Sequence, residues 1–191
     1  MLSPEARARR ETERAALRAW WSGDRARPFI LERHDEYCVC DVLFPGLKGI
    51  WRYGIIGGLG WFACHLPGSF AKILAYRLLG VKIGRNVYLA PGVALDPLYP
   101  ELIELDDDCF LGLGCRIYTH EYTATNFRLG RVHVGKGSVI GAHATVRSGV
   151  TLGAKATVGL DSLVNKDVRD GATVGGVPAR ELKTGVDPLG S

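Results

Sequence analysis

VGKGSVIGAHATVRSGVTLGAKATVGLDSLVNKDV, running from Val134 to Val168, carries an aliphatic residue at every sixth position: Val134, Ile140, Val146, Leu152, Val158 and Val164. Four residues after each stands Ser138, Ala144, Val150, Ala156, Ser162 or Val168, and Gly follows the aliphatic at Gly135, Gly141, Gly153 and Gly159. A period of six fits neither the ~3.6-residue turn of an α-helix nor plain strand alternation. It suits a short strand and a turn, with the aliphatic pointing inward, Gly permitting the corner, and three units closing one triangular coil.

The register extends towards the N-terminus. It recurs at Ile83 and Leu89, and at Leu105, Leu111 and Ile117, where Cys109 and Cys115 take the small position and so read as core filler. Two segments break it: DPLYPELIE between Leu95 and Leu105, and THEYTATNFRLGR from Thr119 to Arg131. Insertions in a solenoid gather on the side that binds.

Outside the repeat, Pro4 to Trp21 has helix-compatible spacing, with Ser3 as N-cap and Glu11, Arg14 and Arg18 along one face, and reads as an exposed helix. Ser69 to Leu79 (SFAKILAYRLL), closed by Gly80, reads as a second. Trp51, Tyr53, Trp61 and Phe62 form an aromatic stretch with three open readings: a cap on the end of the β-helix, a membrane-surface dock aided by Lys48, Arg52 and Lys72, or an extra contact between subunits. The apolar run Tyr53 to Cys64 spans 12 residues, against roughly 20 for a bilayer crossing.

The chain has 191 residues, 47% hydrophobic and 23% charged, with 24 Lys and Arg against 20 Asp and Glu. One main core is expected, and wholesale disorder is disfavoured. The cations form no continuous run, so no nucleic-acid partner is expected. Five cysteines are an odd number, and Cys38 and Cys40 have no second close pair to complete a zinc site. With no apolar signal core at the start, the expectation is a cytoplasmic protein, with peripheral contact at the inner membrane face through residues 49–66 as a further reading.

Taken together, the hexads, the THEYT excursion, IGAHATVRSGVTLGAKATVG, SLVNKDV and the ending GGVPAREL resemble the hexapeptide-repeat acyltransferases, especially their maltose, galactoside and xenobiotic O-acetyltransferase branch. The resemblance covers roughly Val81 to Lys183 and implies a left-handed parallel β-helix at residues 81–183, a helical, partly apolar extension and cap at 1–80, and a tail at 184–191. It implies a homotrimer with sites between neighbouring β-helices, acetyl-CoA as donor, no metal, and transfer to a hydroxyl of a sugar-like or small-molecule acceptor. A non-catalytic trimeric β-helix scaffold is the competing class.

Within that resemblance His120 matches the catalytic general base; imidazole, with an ordinary pKa of about 6.5, can take a hydroxyl proton near neutrality. Asp96, Glu121 and Tyr122 are candidates to meet the acceptor, Glu121 and Tyr122 also to orient the imidazole. The Gly141–Ala142–His143 turn would offer the Ala142 N–H to the thioester oxygen. Gly159 and Leu160 follow the pantetheine edge, and Lys166 and Arg180 match positions that meet the nucleotide phosphates. His120, His133 and His143 are spaced unlike the zinc ligands of γ-type carbonic anhydrases, so no metal site is expected.

Overall fold

The computed structural model describes residues 3–23, 25–32 and 51–182; Cys38, Cys40, Lys48 and the expected tail at 184–191 lie outside them, as do the side chains of Trp51, Arg52 and Tyr53. The first element is helix α1 (Pro4–Ser22), whose Ser3 Oγ accepts the Ala6 N–H at 3.1 Å and whose Glu11 pairs with Arg14 at 2.7 Å. Strand β1 (Phe29–Glu32) follows, then a π-helical segment Trp51–Ile56 leading into α2 (Gly57–His65) and α3 (Ser69–Leu78). Leu79 caps α3, and Gly80 turns the chain at φ +100°.

Four coils succeed one another from Lys82. The first is β2 (Lys82–Ile83), β3 (Tyr88–Leu89) and β4 (Ala94–Leu95); the second is β5 (Ile103–Leu105), β6 (Phe110–Leu111) and β7 (Arg116–Ile117). An excursion, β8 (His120–Tyr122) and β9 (Asn126–Leu129), precedes the third coil, β10 (Val132–Val134), β11 (Val139–Ile140) and β12 (Thr145–Val146). The fourth is β13 (Thr151–Leu152), β14 (Thr157–Val158) and β15 (Leu163–Val164). A bridge at Val168 and strand β16 (Thr173–Gly175) begin a fifth coil, and β17 (Arg180–Glu181) folds back antiparallel on β16.

Equivalent strands stack in parallel, in register, into three sheets: β2-β5-β10-β13, β3-β6-β11-β14-β16, and β4-β7-β12-β15. Leu105, Leu111, Ile117, Val134, Ile140, Val146, Leu152, Val158 and Val164 all point into one buried core, with Cys109 and Cys115 in the small positions. Each such aliphatic is worth roughly 1.5–3 kcal/mol of burial, and the stacking repeats that gain coil by coil.

The glycines after the aliphatic have a different purpose from the one expected. The left-handed seat lies two residues later, at Gly137, His143, Gly149, Lys155 and Asp161. What excludes a side chain at Gly141 is the next coil: a Cβ there would lie 2.7 Å from Gly159 C, Leu160 N and Val158 O. Space between coils is limiting, not φ.

Helices α2 and α3 close the N-terminal end of the coil. Tyr76 Oη donates to Val93 O at 3.1 Å, Lys72 Nζ donates to Ala90 O at 3.0 Å, and the Leu89 N–H donates to Ser69 Oγ at 2.9 Å. Ala63 and Tyr76 are buried with the first coil. Helix α1 is exposed over most of its length, as expected, but one side is held by a second core: Ala6, Leu17, Trp20 and Trp21 pack with Leu31, Leu98, Tyr99, Leu102, Phe127 and Leu129. Its partner surface is built from both interruptions of the repeat, which sequence spacing alone did not unite.

Candidate active site

The excursion leaves the coil as an antiparallel hairpin, β8 against β9 with His120 opposite Leu129, and β1 adds a third strand on the far side of β9. Its turn is made by Thr123, whose Oγ1 accepts from the Asn126 N–H at 2.9 Å while its own N–H donates to Asn126 O at 2.8 Å. Gly130 N–H donates to Thr119 O at 2.8 Å and closes the base, so His120 is fixed at the corner where the chain leaves the third sheet.

His120 Nδ1 lies 2.6 Å from Asp96 Oδ2. Oδ2 also accepts the N–H groups of Thr119 (2.8 Å) and His120 (3.1 Å), while Oδ1 accepts those of Leu98 (2.9 Å) and Tyr99 (3.1 Å). Asp96 was expected to meet the acceptor; instead its side chain has no exposed surface and both oxygens are engaged, which puts it behind the imidazole. Burial pushes its carboxyl up, but the His120 hydrogen bond and charge, with the Thr119 and Leu98 amides, outweigh that and hold it below the usual carboxylate range.

Tyr99, Tyr122 and Phe127 surround the imidazole, with ring centroids 5.7, 6.1 and 6.2 Å away, and Trp21 of α1 backs Tyr99 at 6.2 Å. Sequence reading missed Tyr99, Phe127 and Trp21; aromatic residues within both interruptions were the available signal. Among the described residues His120 Nε2 has no hydrogen-bond partner. A cleft of about 630 Å³, lined by Pro97, Leu98, Tyr118, His120, Glu121 and Tyr122, opens beside it.

Glu121 borders the cleft, but its carboxylate is engaged on the coil. Its carboxylate accepts Arg147 Nε at 2.6 Å, Ser148 Oγ at 2.6 Å and the Ser148 N–H at 3.1 Å. It pins the hairpin to the third coil, and the partner of the imidazole is Asp96, so the expected role of orienting His120 does not fit; Glu121 does border the cleft, where an acceptor contact was expected of it. Tyr122 is half-exposed at the cleft and packs against Phe127 as well as His120.

The three histidines do not converge. His133 Nε2 bonds Asp106 Oδ2 at 3.0 Å, and His143 occupies a left-handed turn position beside Gly114. Among the described residues one group, Glu104, Asp106 and His133, brings three potential ligand atoms within 4.8 Å of one another. Cations already attend it, with Arg131 paired to Glu104 and Lys82 Nζ 3.6 Å from the same carboxylate.

The donor-side residues divide into two places. Gly141 and Ala142 stack over Gly159 and Leu160 at the corner between the second and third sheets, and Leu160 is exposed. Among the described residues the Ala142 N–H donates no hydrogen bond. Lys166 and Arg180 line a second cleft of about 330 Å³ at the C-terminal end, shared with Asn165, Asp167, Arg169 and Glu181. Arg169 there is held by Glu181 at 2.6 and 2.8 Å. His120 and the Ala142 amide thus stand at different corners of the triangle, at opposite ends of the third sheet's strands, and one chain does not bring them together.

Comparison with known proteins agrees with this architecture. A family model for the hexapeptide repeat of succinyl-transferase matches residues 131–159. YvoF of Bacillus subtilis (strain 168), an acetyltransferase by name, is 39% identical over 141 residues, 73% of this chain and 80% of its own. Galactoside O-acetyltransferase of Escherichia coli (strain K12) is 29% identical over 107 residues, 54% of this chain and 43% of its own. The hexapeptide-repeat acetyltransferase VCA0836 of Vibrio cholerae, solved with acetyl-coenzyme A, superposes with a TM-score of 0.57 at 19% identity, covering 73% of this chain and 89% of that one. That likeness identifies the coil as a left-handed parallel β-helix, and the identity to YvoF over most of both chains carries the assignment further: the chain belongs to the hexapeptide-repeat acetyltransferases.

Proposed function

We propose that this chain transfers an acetyl group from acetyl-CoA to a hydroxyl of a sugar-like or other small-molecule acceptor, with His120 as general base. The observation that carries the reading is the imidazole itself: Nδ1 is held by a buried carboxylate, and Nε2, beside an open cleft, has no partner among the described residues. With the proton on Nδ1 directed at Asp96, Nε2 is the basic nitrogen.

The acceptor hydroxyl gives its proton to Nε2 as its oxygen attacks the thioester carbon. Negative charge then develops on the former carbonyl oxygen, where the unpartnered Ala142 N–H can donate. Collapse of the tetrahedral adduct breaks the C–S bond, and the imidazolium returns its proton to the departing CoA sulfur. Asp96 holds one tautomer and stabilises the transient imidazolium, acting as a positioning residue.

The group the donor requires fits what is present. Gly141 and Gly159 keep the second corner low enough for the pantetheine arm, Leu160 offers it apolar surface, and Lys166 and Arg180 supply two cations in one cleft for phosphates. The separation of His120 from the Ala142 amide supports a homotrimer in which each site uses one corner from each of two chains. We take residues 81–183 as the transferase unit. The three described cysteines are free thiols, which accords with a cytoplasmic setting.

The test is calorimetric titration with acetyl-CoA and with CoA, followed by an acceptor screen with His120→Ala beside the wild type. Saturable binding near one site per chain is expected, with kcat lowered about 10²- to 10⁴-fold in the variant and its assembly unchanged. No binding at millimolar acetyl-CoA, or full activity in His120→Ala, overturns the reading.

A further inference from the structure

The outer face of the α2–α3 cap is apolar where it meets solvent. Phe70, Leu74 and Leu78 recur every fourth residue along one side of α3, 82%, 51% and 81% exposed, while the opposite side carries Lys72 and Tyr76 into the coil. On α2 the neighbouring Leu59, Trp61 and Phe62 are exposed as well, Trp61 by 66%. A patch of this kind on a soluble chain marks a place of docking.

Charge identifies the partner. Between Asp41 and Asp96 the sequence contains no Asp or Glu, against six cations, Lys48, Arg52, Lys72, Arg77, Lys82 and Arg85. Lys82 and Arg85 are answered by acids of the second coil, Glu104 and Asp107. Lys72 is buried against the coil, where it donates to Ala90 O, and takes no part at the surface; Arg77 is exposed near the end of α3 and, among the described residues, donates to the carbonyls of Ile83 and Gly84. Large apolar side chains on a segment free of acids, with Arg77 exposed on the same helix and Lys48 and Arg52 in the same stretch of sequence, fit a surface that is apolar within and anionic at its boundary. No helix among the described residues is long and apolar enough to cross a membrane.

We propose that the α2–α3 face docks on an anionic lipid bilayer and thereby presents the His120 cleft to an acceptor carried on a membrane lipid. The link between dock and cleft is direct contact: at Gly60 of α2 an added Cβ would lie 2.9 Å from Pro97 Cα, and Pro97 lines the cleft beside His120. Docking depth therefore sets how far the cleft mouth stands from the headgroups. The docking half is independent of the chemistry; the lipid-borne acceptor rests on the acetyl-transfer reading above.

The experiment uses the full chain with vesicles of phosphatidylcholine alone and of phosphatidylcholine with about 30% phosphatidylglycerol, followed by sedimentation. The wild type should pellet with the anionic vesicles and not with the neutral ones. Phe70→Glu and Leu78→Glu, both at exposed positions away from the cleft, should each weaken pelleting about tenfold or more while leaving acetyl-CoA binding unchanged. No pelleting of the wild type, or pelleting equal in both variants, overturns docking. So does a loss of assembly size in the two variants, which would make this face a contact between copies. If docking holds, an acetylatable sugar presented on a lipid in those vesicles should be modified faster than the same sugar free in solution; equal rates overturn the lipid-borne acceptor alone. Failure of acetyl-CoA to bind at all would remove the transferase reading and leave the sedimentation result standing.

Discussion

Asp96 Oδ2 stands 2.6 Å from His120 Nδ1, joining residues 24 apart in sequence through the stacking of one coil on the next. Asp96→Asn keeps the shape but reverses a hydrogen-bond role, so the tautomer that exposes a basic Nε2 loses its preference. We expect kcat to fall by about 10²-fold or more with little change in the KM for acetyl-CoA. Steady-state kinetics on both substrates checks this, and an unchanged kcat would release Asp96 from the positioning role.

The same carboxylate should shape acid stability. Its pKa is lowered in the folded protein, so the folded state favours its ionised form; that stabilisation is complete above the ordinary carboxylate value of about 3.9 and is lost as pH falls through the lowered one. Thermal unfolding of wild type and Asp96→Asn between about pH 2 and pH 7 should show the acid limb flattened in the variant. Parallel curves would contradict this assignment.

Glu121 predicts a different pattern. Because its oxygens take bonds from Arg147 and Ser148, Glu121→Ala leaves the buried Ser148 hydroxyl and amide short of an acceptor. A loss of about 1–3 kcal/mol in stability is expected. In denaturant melts it should appear clearly, while kcat at a temperature where the variant is folded stays within a few-fold of wild type.

Two glycines of α2 separate helix propensity from packing. A Cβ at Gly58 meets nothing within 4 Å, whereas one at Gly60 meets Pro97 Cα and Cβ at 2.9 and 3.0 Å. Gly58→Ala should therefore stabilise by up to about 1 kcal/mol. Gly60→Ala should destabilise by about 1–3 kcal/mol and, by displacing Pro97, raise the KM for the acceptor more than that for acetyl-CoA.

At the donor end, Lys166→Ala and Arg180→Ala should each weaken acetyl-CoA binding by about tenfold to a hundredfold, the worth of a charge-assisted hydrogen bond. Titration with dephospho-CoA identifies which phosphate each cation meets: a variant that loses nothing further with that ligand had been serving the missing group.

The coil was legible because a period of six is imposed by backbone geometry, and Val134, Ile140 and Val146 report it directly. His120 was legible as the residue at which the period stops. That Asp96 and not Glu121 orients His120 was not legible because the partners of both come from coil stacking, with Arg147 and Ser148 lying 26 and 27 residues from Glu121. The docked side of the otherwise exposed helix α1 was not legible because its partner surface joins Leu98 to Leu102 with Phe127 and Leu129, two segments that each look like mere gaps in the repeat. Gly141 was recognised but for the wrong reason: sequence shows a small residue, and only the neighbouring coil shows what it must avoid.

The placement of His120 and Ala142 at different corners makes each chain half of two separate sites under the proposed trimer. Two inactive proteins should then rescue one another. A His120→Ala chain still lends a sound donor edge, and a chain crippled at Gly141 still lends a sound base, so random co-assembly at equal amounts restores about one quarter of the sites. An enzyme complete within one chain would recover nothing on mixing, and its heterozygous cell would gain nothing from carrying both alleles.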